Sequence, residues 1–158
     1  QGRKGVFTGD EALSSPQSLG EEVLVLGGGG VGAEIADFLS ELGKAVTLIE
    51  MQEGIALDLP PHSRIFLEER LEEKEVEVLT LTRVVRLDHE GLWVEGPQGK
   101  RVLREFDSIV VAMGTVPNDE MVARIREKIP ATYVVGDAAK PREIMEALAE
   151  AEEVALRI

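Results

Sequence analysis

Apolar residues in this chain come in short unbroken runs set off by glycine, proline and charge. Val23-Leu24-Val25-Leu26 is the first, and a run rich in valine and leucine predicts a strand buried on both faces of a parallel sheet. After the glycines that follow, apolar positions return at Ile35, Phe38, Leu39 and Leu42, which share one helical face, and Gly43 is a stop signal. Residues 46–49 predict a second strand ending at Glu50, residues 62–74 a helix after Pro60-Pro61, and 76–79 a third strand. Between 83 and 106 apolar and polar residues alternate, and Gly91 and Gly96-Pro97-Gln98-Gly99 supply turns, so this part predicts a three-stranded antiparallel meander. Residues 109–113 predict another buried strand, and Tyr133-Val134-Val135 a short last one. Ile144, Leu148, Ala151, Ala155 and Ile158 fall at helical spacing and form a stripe that needs a partner to pack on. Residues 1–20 hold Gly, Ser, Pro and Gln with scattered apolar positions and predict a linker without helix or strand.

Charge and composition remove several function classes. The 158 residues include 17 Lys and Arg against 30 Asp and Glu, a net charge of −13. That length allows one domain, or one domain with a fragment of another. The acidic balance argues against nucleic acid, whose phosphates are held by cations, and against an anionic membrane surface. No apolar run is long enough to span a bilayer, and the N-terminal residues show no signal-peptide core, so the expected location is the cytoplasm. The absence of cysteine removes thiol nucleophiles, dithiol redox centres and cysteine-held clusters from this chain. Its two histidines, His62 beside Ser63 and His89 near Gly91, form no recognisable triad and read as surface or capping residues. Trp93 reads as a packing residue. Glu68, Glu69, Glu72, Glu73 and Glu75 read as a solvated helix face relieved by Arg70 and Lys74. No catalytic residue and no metal site emerge.

The chemistry lies in the glycines. Gly27, Gly29 and Gly32 match G-x-G-x-x-G after a buried strand and at the opening of a helix, and five of the six residues 27–32 are glycine. Gly27 allows a tight turn, Gly29 lets a pyrophosphate approach the backbone, and Gly32 lets helix pack on strand. The helix N-terminus, with Gly30 and Val31, offers N–H groups and a positive dipole end to phosphate. Glu50 follows Gly32 by 18 residues, close to where this pattern places an acid that hydrogen-bonds the adenosine ribose. Such a carboxylate repels a 2′-phosphate, and Met51, Gln52 and Glu53 bring no cation, so the expected ligand is NAD(H), not NADP(H). Methyltransferases that bind S-adenosylmethionine use a related loop, usually spaced G-x-G-x-G after an acidic residue; here Leu26 precedes Gly27 and Val31 fills the third glycine position. The predicted fold class is α/β: a Rossmann-like parallel sheet with an inserted three-stranded antiparallel meander, in three layers.

Residues 23–36, reading VLVLGGGGVGAEIA, resemble the second dinucleotide motif of the pyridine nucleotide–flavin oxidoreductases. Residues 109–118, IVVAMGTVPN, are similar to the strand and turn at the end of that family's NAD(P)H domain. Residues 133–138, YVVGDA, with Lys140-Pro141-Arg142, resemble its later strand, whose aspartate touches the FAD ribityl chain. The subgroup most resembled is the C-terminal part of 2,4-dienoyl-CoA reductase, trimethylamine dehydrogenase and old-yellow-enzyme-type NADH oxidases. The resemblance implies a linker at 1–20, an NAD(H)-binding domain at 21–129, and at 130–158 a strand and helix left from a split FAD domain. It places Glu34 and Gly114 near the nicotinamide and Gly136 and Asp137 near FAD; Glu34 reads equally as an exposed first-turn acid. Ala151 stands where relatives often carry glycine near the flavin. The implied parent enzyme passes hydride from NADH to FAD, with FMN and an iron–sulfur cluster elsewhere in it. On that view this chain is a fragment that positions NADH, does not turn over alone, and has the missing FAD domain as its partner. The alternative is a non-enzymatic, ADP-like nucleotide-binding or interaction module. Without an FAD domain, the C-terminal stripe is expected to form a homodimer or to fold onto the NAD domain.

Overall fold

Val23 and Val25 face one side of their strand, Leu24 and Leu26 face the other, and both sides are covered. The computed structural model describes residues 5–158, in two compact units: one runs to Gly114 and the other is Thr115–Ile158. In chain order the first unit holds β1 (Gly5–Thr8), α1 (Gly9–Ser14), β2 (Glu22–Leu26), α2 (Gly30–Glu41), β3 (Ala45–Ile49), α3 (Pro61–Glu73) and β4 (Glu77–Leu79). It continues with β5 (Arg83–Asp88), β6 (Gly91–Gly96), β7 (Gly99–Leu103) and β8 (Ser108–Val111).

β1, β8, β2, β3 and β4 lie side by side in that order, all parallel. β5–β6–β7 form a separate antiparallel sheet. Val23, Val25, Val46, Leu48 and Val110 pack against Ala33, Ile35, Ala36 and Leu39 of α2 and Leu67 and Leu71 of α3. Leu24, Leu26, Ile49 and Ile109 pack on the opposite face against Leu92 and Val94 of β6. The result is the three-layer, Rossmann-like α/β arrangement that the continuous apolar strands and alternating meander imply.

Register decides where a site can form. Leu26 lies beside Ile49 on one side and Val111 on the other, so β3, β2 and β8 end together. Residues just past those three ends, Gly27, Glu50 and Ala112, therefore meet at one edge of the sheet. The chain runs from β2 outward to β3 on one side and returns to β8 on the other, which leaves a crevice at the carboxyl ends.

α2 and α3 are joined by charge as well as by packing. Asp37, buried on α2, accepts from Lys74 Nζ at 2.8 Å and pairs with the Arg70 guanidinium. Lys74 is held above its ordinary value mainly by its hydrogen bond to Asp37. Replacing Asp37 by alanine is expected to lower unfolding free energy by about 1–3 kcal/mol in urea titrations, because two cations lose a buried acceptor. Glu41→Ala, on the exposed rim of the same cluster, should stay within about 0.5 kcal/mol.

Two sequence expectations are corrected. Within the predicted linker, residues 5–8 pair in parallel with β8 and residues 9–14 form a helix; residues 1–4 of that stretch lie outside the described residues. The helix is started by a capping box in which Glu11 N–H donates to Thr8 Oγ1 at 3.3 Å and Thr8 N–H donates to Glu11 Oε2 at 2.8 Å. In the second unit, Tyr133-Val134-Val135 forms no strand, since that unit holds no other strand to pair with; Val135 takes an extended conformation at the start of a short 3-10 turn. The same unit contains α4 (Glu120–Arg126), for which the sequence pattern makes no prediction, and α5 (Ile144–Ala155) at the expected apolar stripe. No described helix is long and apolar enough to cross a membrane.

Candidate functional site

The turn from β2 into α2 is built by close backbone approach. Gly27 takes φ +101° and donates its N–H to Ile49 O at 2.9 Å, so the chain turns directly over the end of β3. A Cβ on Gly32 would lie 1.9 Å from Gly27 O, so α2 crosses the turn at a distance only glycine permits. Gly29 differs. Its φ of −62° suits any residue, and a Cβ there would meet only the Asp58 carboxylate, at 3.7 Å. The fold gives no reason for glycine at position 29.

Glu50 sits just past β3 and is buried. Gly28 N–H donates to its Oε2 at 2.6 Å and Gln52 N–H to its Oε1 at 2.7 Å. Each oxygen spends one of its two lone-pair directions on the backbone, and one remains on each. The backbone of Glu50 is fixed as well: its N–H donates to Leu79 O, and its O accepts from Thr82 N–H at 2.8 Å. The carboxylate is thus rigidly placed and still able to accept hydroxyl hydrogens.

One cleft of about 360 Å³ brings together Gly27, Gly29, Glu50, Met51 and Gly114, with Thr82, Arg83, Val84, Ala112 and Met113 also in its wall. Met51 is largely exposed at its rim, and Gly114, with φ +87°, ends the unit. Gly30, Val31 and Gly32 form the first turn of α2 beside the cleft, Val31 with its side chain exposed. Glu34, one turn further on, is exposed and does not line the cleft. Gly136 and Asp137 belong to the second unit. There Gly136 N–H donates to Glu150 Oε2 at 2.8 Å, Arg142 N–H donates to Asp137 Oδ1 at 3.4 Å, and Arg142 pairs with Glu150. His62 and His89 are both exposed, and Trp93 is half-buried with Arg86 over its ring at 4.7 Å.

Two residues that the sequence reading passed over stand near the site, Arg83 in the cleft wall and Asp58 against the glycine loop. Arg83 enters its wall because Thr82 is bonded to Glu50, and its guanidinium pairs with Glu95 on the neighbouring strand. Asp58 accepts the Gly30 N–H at 2.8 Å. Neither has a local signal: both arrive through backbone contacts between segments distant in sequence.

Residues 2–152 match the family model of the pyridine nucleotide-disulphide oxidoreductases. The chain belongs to this family. It is 31% identical over 161 residues to a cinnamate reductase of Clostridium sporogenes, covering 100% of this chain and 24% of that protein. It is 32% identical over 139 residues to an NADH oxidase of Thermoanaerobacter brockii, covering 87% of this chain and 21% of the relative. Among solved structures, a 2-naphthoyl-CoA reductase superposes with a TM-score of 0.82 at 24% identity, covering 97% of this chain and 23% of the other, a likeness of fold. The chain therefore spans about a quarter of the length of these relatives. The family implies binding of FAD and a pyridine nucleotide. The cleft carries groups that fit such a nucleotide, an anchored carboxylate that keeps lone pairs and a loop where nothing in the fold requires glycine at position 29. Lacking cysteine, this chain supplies no redox disulphide of its own.

Proposed function

We propose that the first unit binds NADH and holds it for hydride transfer to an FAD carried by a longer flavin-dependent oxidoreductase. The observation that carries this reading is the open position at Gly29. Neither backbone conformation nor packing requires glycine there, whereas a diphosphate approaching the amides of Gly30 and Val31 does. Glu50 accepts the adenosine ribose hydroxyls on its two remaining lone pairs. Met51 covers the adenine side of the cleft, and Met113 and Gly114 bound its other end. Bound NADH supplies the hydride; the chain's residues bind, orient and exclude water, and none of them transfers a proton. Gly136 and Asp137 serve the flavin in the same enzyme.

Calorimetric titration of the chain with NADH, NADPH and ADP tests the proposal. NADH should bind more tightly than either control. ADP binding as tight as NADH would favour an adenine-nucleotide module that does not read nicotinamide. Gly29→Ala sharpens the test. It should leave stability within about 1 kcal/mol, the scale of an N-cap change, while weakening NADH about tenfold or more. A Gly29→Ala chain that binds NADH normally would remove the observation on which the reading rests.

A further inference from the structure

Asp58 stands where the proposed ligand would place its own negative charge. Its Oδ1 takes the Gly30 N–H at 2.8 Å, and both its oxygens lie 3.7 Å from where a Gly29 Cβ would be. The carboxylate thus covers the amide that the open glycine exposes. Backbone contacts on both sides hold it there. Ala56 N–H donates to Gly28 O at 2.7 Å, Ile55 and Ala56 are buried, and Leu59 N–H donates back to Ala56 O at 3.0 Å. Ala56 takes φ +49°, a left-handed conformation that turns the chain back over the glycine loop. Leu59 closes the arrangement, with its Cδ2 2.8 Å from the Cβ position of Gly30.

We propose, building on the nucleotide reading above, that Asp58 is a built-in competitor for the pyrophosphate subsite and sets the affinity of this site for anionic nucleotides. The N-terminus of α2 favours one anion, and in the free protein Asp58 is that anion. A dinucleotide must exchange with it: the Asp58 side chain, which is exposed, swings away and the diphosphate takes the Gly30 N–H. Two carboxylate and phosphate charges at hydrogen-bond distance from the same amide repel one another, so the exchange costs affinity in proportion to ligand charge. Adenosine, which carries no phosphate, bypasses the exchange. Asp58 thereby keeps the site empty except where the rest of the dinucleotide contributes enough binding to displace it.

The test uses Asp58→Asn, which keeps the shape and a carbonyl oxygen for Gly30 N–H but removes the charge. NADH and ADP should each bind about fivefold more tightly to the variant, the upper end for an exposed charge at a helix terminus, while adenosine binds both proteins equally. Inorganic pyrophosphate, followed through the ¹⁵N shift of the Gly30 amide, should perturb Asp58→Asn at lower concentration than the parent chain. Thermal unfolding checks that both are folded. If the parent chain binds NADH and Asp58→Asn binds it no better, the competitor is overturned and the nucleotide reading stands. If neither protein binds NADH or ADP, the nucleotide reading fails and Asp58 falls with it. An equal gain for adenosine would also overturn the proposal, because the effect would not depend on ligand charge.

Discussion

A Gly32→Ala chain is expected to lose about 3 kcal/mol or more of unfolding free energy, from the steric conflict alone. The added methyl would lie 1.9 Å from Gly27 O and 3.3 Å from the Ala112 Cβ. Contacts between carbon and oxygen do not occur at the first distance, so helix and turn must separate by more than an ångström. Neither side can yield cheaply. Gly27 is tied to Ile49 O and held at φ +101°, and α2 is buried against the sheet through Ala33, Ile35, Ala36 and Leu39. A loss of that size is a large share of the roughly 5–15 kcal/mol available to an ordinary domain. Gly43→Ala is the proper comparison. It places a side chain at positive φ, +83°, which Gly32 does not have, but in open space, and should cost only about 1–2 kcal/mol. Urea unfolding of both variants measures the difference. Equal midpoints for Gly32→Ala and the parent chain would mean that helix and strand are not in this contact in solution.

How much of this was legible beforehand depended on where each constraint originates. β2, β3 and β8 were readable because a strand covered by helices on one face and a meander on the other must be apolar on both, and Val23-Leu24-Val25-Leu26 is. The glycine turn was readable because its steric demands fall within six consecutive residues. Glu50 was readable because one helix and one strand fix the distance from the last glycine to the end of β3. β1 was not. Val6 and Phe7 make a poor strand alone, and the segment is extended because β8, about a hundred residues later, offers it an edge. The capping box at Thr8 and Glu11 was in plain sight and outweighed by the surrounding polar composition. Tyr133-Val134-Val135 failed in the opposite direction: a sequence with strand propensity forms no strand without a neighbour to bond. Asp58 reaches the glycine loop and Arg83 the cleft wall through backbone bonds, Ala56 to Gly28 and Thr82 to Glu50, which join segments that no local pattern relates.

Glu50→Gln should cut NADH affinity by about ten- to a hundredfold and shift the choice between NADH and NADPH. The carboxylate now accepts two backbone N–H groups, at 2.6 Å and 2.7 Å, and on the proposed reading two ribose hydroxyls as well. An amide can present one oxygen only. Its NH₂ group must face either Gly28 N–H or Gln52 N–H, donor against donor, so about 1–3 kcal/mol of stability goes with it. Specificity follows from charge. A 2′-phosphate entering beside the buried Glu50 meets a like charge, worth about 4 kcal/mol at 4 Å in an effective dielectric of about 20, which is enough to exclude NADPH from the parent chain. Removing that charge leaves Arg83, paired with Glu95, as the remaining charged side chain of the cleft wall. The ratio of NADH to NADPH affinity should therefore fall toward unity in Glu50→Gln, and fall further in Glu50→Gln with Glu95→Gln, where Arg83 is free to meet the phosphate. Calorimetry with both nucleotides, on proteins whose folding is checked by urea unfolding, reads the ratio directly. A ratio unchanged by Glu50→Gln would mean that the carboxylate does not face the ribose, and that its role is confined to holding the glycine loop against β3.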